Sequence, residues 1–363
     1  IRRPPRSTLD RSSAASDVYK RQTRGKVQSG GKHDLSRGIA KIDDSRLNLL
    51  SEIHESKKTT CAEVLYLDSP PLKEGFGKHV GIEGDLLGHL QACDELVVVT
   101  REFTNDSVAH IHDTLDPSRD VVEFLMDLSF VDQGILERRL SKLTDSLKST
   151  KTKDKEPIIK EQELLNRISG FLNEGKLAHQ AINTTEEAKL IKGFGLLTTK
   201  PLIVAANIDE NSILSSSDIE NEISKAIGND TKVISICAKL EAELSEMNPE
   251  DEIEFRNELN IKESGINRLV SDSYESLGLI TFFTTGPDET RAWSIRNGTE
   301  AQAAAGQIHS DIQRGFIRAE IISYEALIES GNESKARNNG LLRQEGKNYT
   351  MRDGDVVNFL FNV

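Results

Sequence analysis

The residues with the most readable chemistry sit where apolar runs end. Leu202-Ile203-Val204-Ala205-Ala206 reads as a buried strand, and Asn207-Ile208-Asp209-Glu210 leaves it. An Asn amide and a Glu carboxylate three residues apart, at the exit of a strand, offer hydrogen-bonding groups where α/β sheets take ligands. Cys61-Ala62-Glu63-Val64-Leu65-Tyr66-Leu67 reads as a second buried strand and delivers Asp68 at its end. A strand-end carboxylate is the group that supports Mg²⁺ beside transferred phosphates. The partner such chemistry needs is a Gly-x-x-x-x-Gly-Lys-[Ser/Thr] loop, whose backbone N–H groups cradle the phosphates. No such motif occurs in the sequence. Ser29-Gly30-Gly31-Lys32-His33 is the nearest approach, and it lacks the upstream Gly, the Ser/Thr and a preceding strand.

Two further strands, Glu95-Leu96-Val97-Val98-Val99-Thr100 and Lys232-Val233-Ile234-Ser235-Ile236, complete a set of four short apolar runs separated by helical or loop-like segments. That pattern predicts an α/β fold, a mostly parallel sheet with helices on its faces. Between the second and third runs, Leu136, Leu140, Leu143 and Leu147 repeat at helical spacing, and Leu164, Leu165, Ile168 and Leu172 do so again. A Lys-rich segment from Lys148 to Pro157 separates them, so the two stripes predict an antiparallel helical hairpin that buries its own seam. Glu241–Glu258 is acidic and reads as helical, and another helix begins at Gly265.

The chain has 363 residues and a formal net charge of −13, which argues against an overall electrostatic affinity for nucleic acid and leaves room only for local basic patches. Cys61, Cys93 and Cys237 are scattered, form no CxxC or Cys/His metal spacing, and read as small buried thiols. No apolar stretch approaches the ~20 residues of a membrane span, so no membrane partner is expected and a cytoplasmic location is. Residues 1–22 lack periodicity and are rich in Ser and Arg; they read either as a basic tail or as non-native sequence, and the second reading excludes them from the fold.

Residues 279–363 carry a resemblance that these readings alone do not reach. Phe282-Phe283-Thr284-Thr285-Gly286, Arg291-Ala292-Trp293-Ser294-Ile295, Ala301 through Asp311, Gly315 through Glu320 and the closing Asp353-Gly354-Asp355-Val356-Val357-Asn358-Phe359-Leu360-Phe361-Asn362-Val363 resemble the TGS-type domain of the YchF/Obg-like ATPases. The resemblance implies a P-loop NTPase-type sheet interrupted by an antiparallel helical hairpin and followed by a small α+β, β-grasp TGS-like domain. Its expected boundaries are a nucleotide-binding domain over 23–130 and 197–278, the hairpin over 131–196 and the TGS-like domain over 279–363. It also implies that Thr23-Arg24-Gly25-Lys26 ends the family's first helix, with the phosphate loop upstream of it. In that register Ala238 and Lys239 present backbone N–H groups to the purine, and Asn-x-x-Glu in place of Asn-Lys-x-Asp weakens guanine preference in favour of ATP. Gly75-Phe76-Gly77-Lys78-His79-Val80-Gly81 falls on the second switch. Leu72 matches the family's apolar residue at the water-positioning site, Gly77 falls where these proteins can carry a catalytic His, and His79 is a substitute for it. Two departures weaken catalysis: Lys32 lies near the position of the metal-contacting switch Thr, and Pro71 replaces a Gly whose N–H approaches the γ-phosphate.

Two functions remain open on the sequence. One is a YchF-type ATP/GTP-binding protein with Mg²⁺, associated with ribosomes, and weak or inactive in hydrolysis without Walker A. The other is a non-enzymatic RNA- or ribosome-binding TGS module with a degenerate NTPase domain, in which Arg314, Arg318, Arg343, Lys347 and Arg352 would contact phosphates.

Overall fold

The computed structural model describes residues 35–70, 76–77, 82, 84–105, 112, 114–149, 155–228, 231–259, 261 and 263–362. In chain order the elements are β1 (Ser36–Lys41), α1 (Ser45–Ile53), β2 (Thr59–Thr60), β3 (Glu63–Asp68), α2 (Gly84–Ala92), β4 (Leu96–Glu102), α3 (Pro117–Ser149), α4 (Glu156–Asn173), α5 (Thr185–Lys192), β5 (Leu202–Ile208), α6 (Ser216–Ile227), β6 (Lys232–Ile236), α7 (Ala238–Leu244), α8 (Pro249–Glu258), α9 (Gly265–Ser276), β7 (Leu279–Thr284), β8 (Thr290–Arg296), α10 (Ala301–Ile308), α11 (Ser310–Arg314), β9 (Phe316–Ser323), α12 (Tyr324–Ser330), α13 (Glu333–Asn338), β10 (Arg343–Glu345) and β11 (Asp355–Phe361). Two compact units divide them, one of Ile1–Gly38 and Leu67–Ile266, the other of Ile39–Tyr66 and Asn267–Val363.

The first unit is built on a parallel sheet in the order β4-β5-β6. All three strands were legible as apolar runs; β5 is buried on both faces along nearly its whole length, whereas β4 alternates, with Val99 exposed. Val204, Ala206 and Ile208 face one way and pack with Val121 of α3 and Ile223 of α6, while Leu240 and Leu244 of α7 extend the same core. The hairpin forms as expected from its stripes. Leu136 and Leu143 of α3 and Leu164, Leu165, Ile168 and Leu172 of α4 are buried in one cluster, with Leu140 packed against it. Gln133 donates to Asn173 at 2.7 Å and Arg139 pairs with Glu161 at 2.6 Å, so the partner number falls as the first rises and the legs are antiparallel; Gln162 also donates to Thr144 at 3.2 Å. The Lys-rich tip lies at 150–154, outside the described residues.

The second unit is a six-stranded sheet in the order β10-β9-β11-β7-β8-β2, mixed in direction, with helices on both faces. Consecutive residues sort to opposite sides, as the pleat requires. Phe282, Ile321 and Val357 join Ala301, Ala304 and Ala305 of α10 on one face. Phe283, Ile322 and Val356 join Leu47 and Leu50 of α1 on the other. The Asp353-Gly354-Asp355 turn forms with Gly354 at φ 83°, a backbone conformation that suits glycine, and β11 follows it.

Two expectations are corrected. Ile39–Tyr66, assigned by resemblance to the nucleotide-binding domain, groups with the C-terminal unit. The reason is physical: Leu47 and Leu50 fill the core under β11, β2 pairs with β8, and Arg46 of α1 bonds Asp353 at 2.6 Å while lying over the Phe283 ring. The run Cys61–Leu67 is a strand over Glu63–Asp68, but it is not buried: Glu63 is exposed and Leu65 is 56% exposed. It pairs with β1 in a separate two-stranded sheet and is no member of the parallel sheet.

Candidate nucleotide-base site

The exits of β5 and β6 are neighbours because the strands run parallel in register, Asn207 opposite Ile236. Asn207 closes β5 with its side chain turned inward, 9% exposed, and its Oδ1 accepts from the backbone N–H of Ala238 at 3.2 Å. That bond fastens the two exit loops together, and it spends the acceptor that a buried amide must otherwise leave unsatisfied. Asp209 caps the helical turn Glu210–Ser215, accepting from the Ser212 N–H at 3.0 Å. Glu210 then projects beyond the cap and meets Lys239 Nζ at 2.7 Å, both side chains in contact with water. The pair holds the Lys239 ammonium above the usual lysine range. Asn207, Ile208, Glu210, Ala238 and Lys239 are thus gathered at one edge of the sheet, the edge where α/β proteins take ligands.

The frame behind this edge is polar and buried. Glu241 of α7 is 6% exposed and accepts from Arg256 of α8, from Ser264 Oγ at 2.8 Å and from the Gly265 N–H at 2.9 Å. Pattern reading missed this residue, because an acidic residue opening a run of acids looks like a solvated helix face. The run itself is two helices, parted at Asn248, whose side chain caps Pro249–Glu258; Asn followed by Pro was the signal for that break.

Beside the site, Glu102 ends β4 opposite Ile208, half-buried, and its Oε2 has no hydrogen-bond partner. Burial, then Glu222, Asp116, Asp209 and Asp120, push its carboxyl above the usual glutamate range. The folded chain therefore holds this proton to higher pH than the unfolded chain does, so the stability it lends is complete below the ordinary glutamate pKa and is lost as pH rises through the raised value. Glu102→Gln is expected to raise stability at pH 7.5 by about 0.5 kcal/mol, kept small by the water that still reaches the carboxyl. The advantage should shrink toward zero as pH falls below about 4.3, measured as the denaturation midpoint against pH.

The switch residues divide. Pro71, Leu72 and His79, together with Lys32, lie outside the described residues. Gly77 is described, and it does not face an open pocket. Phe76 is 4% exposed and packs with Phe124, Leu96 and Leu197, which presses Gly77 onto α3; a Cβ there would lie 2.2 Å from the Asp127 carbonyl oxygen. A histidine at this position would require the loop to move. Asp68 closes β3 as expected, though on the two-stranded sheet. Among the described residues no group of three or more His, Cys, Asp or Glu side chains is arranged to hold a metal ion. Cys237 is buried between β6 and α7, and burial pushes its thiol up.

Parallel strands with a cross-linked Asn and Glu at their exits, an inserted helical hairpin and a second, sheet-based unit define the class as an α/β protein of the P-loop NTPase type. Known proteins narrow it. The family model YchF-GTPase_C, described as a protein of unknown function (DUF933), matches residues 279–362. The ribosome-binding ATPase YchF of Bacillus subtilis (strain 168) is 37% identical over 334 residues, covering 91% of this chain and 90% of that protein. Its counterpart of the same name in Haemophilus ducreyi is 33% identical over 326 residues, covering 90% of this chain and 89% of that protein. The chain belongs to the YchF family. Among solved structures, that of the Schizosaccharomyces pombe YchF GTPase superposes with a TM-score of 0.84 at 24% identity, over 98% of this chain and 99% of that one. A GTP binding protein from Pyrococcus horikoshii OT3 gives 0.52 at 16% identity, over 90% and 93%. At these identities the likeness is one of fold.

Proposed function

We propose that this chain is a YchF-type purine-nucleotide-binding protein that takes ATP, and GTP less readily, at the exits of β5 and β6, and that it works in association with ribosomes in the cytoplasm. The observation that carries the reading is the Asn207–Ala238 bond, which fixes one loop against the other with Glu210 and Lys239 on their rim. Relatives named for ribosome binding and ATPase activity support it. Exposed Arg318, Lys347 and Arg352 on the C-terminal unit would supply contacts to ribosomal RNA phosphates, whereas Arg343 is engaged with Tyr349, Glu345 and Asp355. Mg²⁺ would arrive with the nucleotide, bound largely by phosphate oxygens.

Titration with ATP, GTP and CTP tests the base site. Purines should bind in preference to CTP, and Asn207→Ala should weaken ATP about tenfold, since it unpairs a buried N–H and loosens the loop. Equal binding of CTP, or an Asn207→Ala variant that binds as well as the parent, would exclude the reading. Because the polypeptide contains no Gly-x-x-x-x-Gly-Lys-[Ser/Thr] segment, its ATP turnover should not rise above background.

A further inference from the structure

The loop that reads a purine must present an acidic side chain whose two oxygens are both available if it is to favour guanine, because guanine offers two adjacent donors, N1–H and the exocyclic amine. Adenine offers at the same edge an unprotonated N1, whose lone pair faces a bare carboxylate unfavourably. Glu210 is not bare. Its Oε1 receives Lys239 Nζ at 2.7 Å, a contact that reaches across from the neighbouring strand exit. Lys239 is anchored for that reach: it follows Ala238, whose N–H is bonded to Asn207, and it lies in the first turn of α7, with Glu243 Oε1 4.0 Å from its ammonium.

We propose that Lys239 sets the purine selectivity of this site by tethering Glu210. The inference rests on the base-site reading above and goes beyond it by assigning selectivity to a side chain on the opposite loop. With Oε1 drawn toward the ammonium and the charge partly offset, Glu210 accepts less well from the two guanine donors together. The ammonium also removes the penalty that a free carboxylate would impose on adenine N1. Lys239 is a positioning residue here. It acts through Glu210.

The experiment titrates the full chain with ATP, GTP and inosine triphosphate, comparing Lys239→Ala, Lys239→Arg and Glu210→Ala, alone and with Lys239→Ala. Lys239→Ala should shift the GTP-to-ATP affinity ratio toward GTP by about threefold, the scale of an exposed ion pair. Inosine triphosphate, which keeps N1–H but lacks the exocyclic amine, should gain less than GTP. Lys239→Arg should restore the parental ratio. In the Glu210→Ala background Lys239→Ala should leave the ratio unchanged, because the tethered group is gone. A ratio that stays constant while all three nucleotides weaken together would overturn the tether and leave the base site standing. A chain that binds no purine in preference to CTP would overturn both. Circular dichroism of each variant confirms that the fold is kept, since both substituted side chains are in water.

Discussion

Glu241→Ala is expected to cost the N-terminal unit about 3 kcal/mol, the scale of breaking a buried ion pair by removing one partner. The carboxylate is a four-way junction. It takes Arg256 Nη1 at 3.2 Å and Nη2 at 2.9 Å, the Ser264 hydroxyl at 2.8 Å and the Gly265 N–H at 2.9 Å. The side chains of Arg256 and Glu241 are 12% and 7% exposed, so truncation leaves a guanidinium with little water to replace its partner. Glu252, which bonds Arg256 Nε at 2.9 Å, retains part of the charge compensation and keeps the loss toward the low end of the range. Glu241→Gln preserves shape but exchanges an ionic acceptor for a neutral amide, and should cost about half as much. The consequence reaches the base site, because Glu241 lies in α7 with Ala238 and Lys239. Hydrogen exchange should accelerate across 238–265 in Glu241→Ala, the Gly265 amide foremost, and nucleotide affinity should fall with it. Unchanged protection in that segment would contradict the role given to the junction.

Residues such as Glu241 mark the boundary of what the sequence shows. The stripe of Leu136, Leu143, Leu164, Leu165, Ile168 and Leu172 announces the hairpin, because a local period suffices when two adjacent helices bury each other. The β5 run announces a parallel sheet through burial on both faces, which leaves an unbroken apolar string; β4 carries a similar string although Val99 faces water. The strand exit carrying Asn207 and Glu210, the proposed base loop, was legible as the end of an apolar run, and both residues lie at the end of β5 and the turn after it. What the pattern does not carry is address. The amphipathic α1 fits any sheet face, and its place is set by partners far along the chain: Leu47 and Leu50 pack with Phe283 and Val356, and Arg46 pairs with Asp353, 307 residues away. Likewise, Lys239 and Glu210 are 29 residues apart, and their pairing follows from the β5–β6 register rather than from any local spacing. The exposure of Leu65 on the run Cys61–Leu67 was not legible, because an apolar residue among apolar neighbours reads as buried.

Asp132→Ala is expected to be at least as damaging, about 3–4 kcal/mol, and by a different route. Asp132 lies in α3, fully buried, amid a stripe of apolar residues where a charge has no evident use. Its oxygens accept from the N–H groups of Leu197 and Thr198, each at 2.8 Å, and from Thr198 Oγ1 at 2.6 Å. These are the orphan donors at the start of the one-turn helix Leu197–Thr199, which leads directly into β5. Lys200, the next residue, donates to the carbonyls of Gln91 and Cys93 at the end of α2, and burial holds its ammonium below the usual lysine range. The chain entering β5 is therefore pinned on two sides, and Asn207 inherits its position from those pins. Burial pushes the Asp132 carboxyl above the ordinary aspartate range, and the three donors only partly pull it back. Its charge is thus a net cost that is relieved as pH falls, whereas the loss of an acceptor is not. Asp132→Asn should consequently destabilise as well, since an amide nitrogen would face a backbone N–H where an oxygen stood. The two variants should separate with pH. The deficit of Asp132→Asn relative to the parent should widen on acidification from pH 7 toward about pH 4, the ordinary aspartate range, as the parent sheds the cost of its charge and the variant, already neutral, does not. A deficit that stayed constant across that interval would mean that the carboxyl is not held above its ordinary range, and would leave hydrogen-bond geometry as the whole of its contribution.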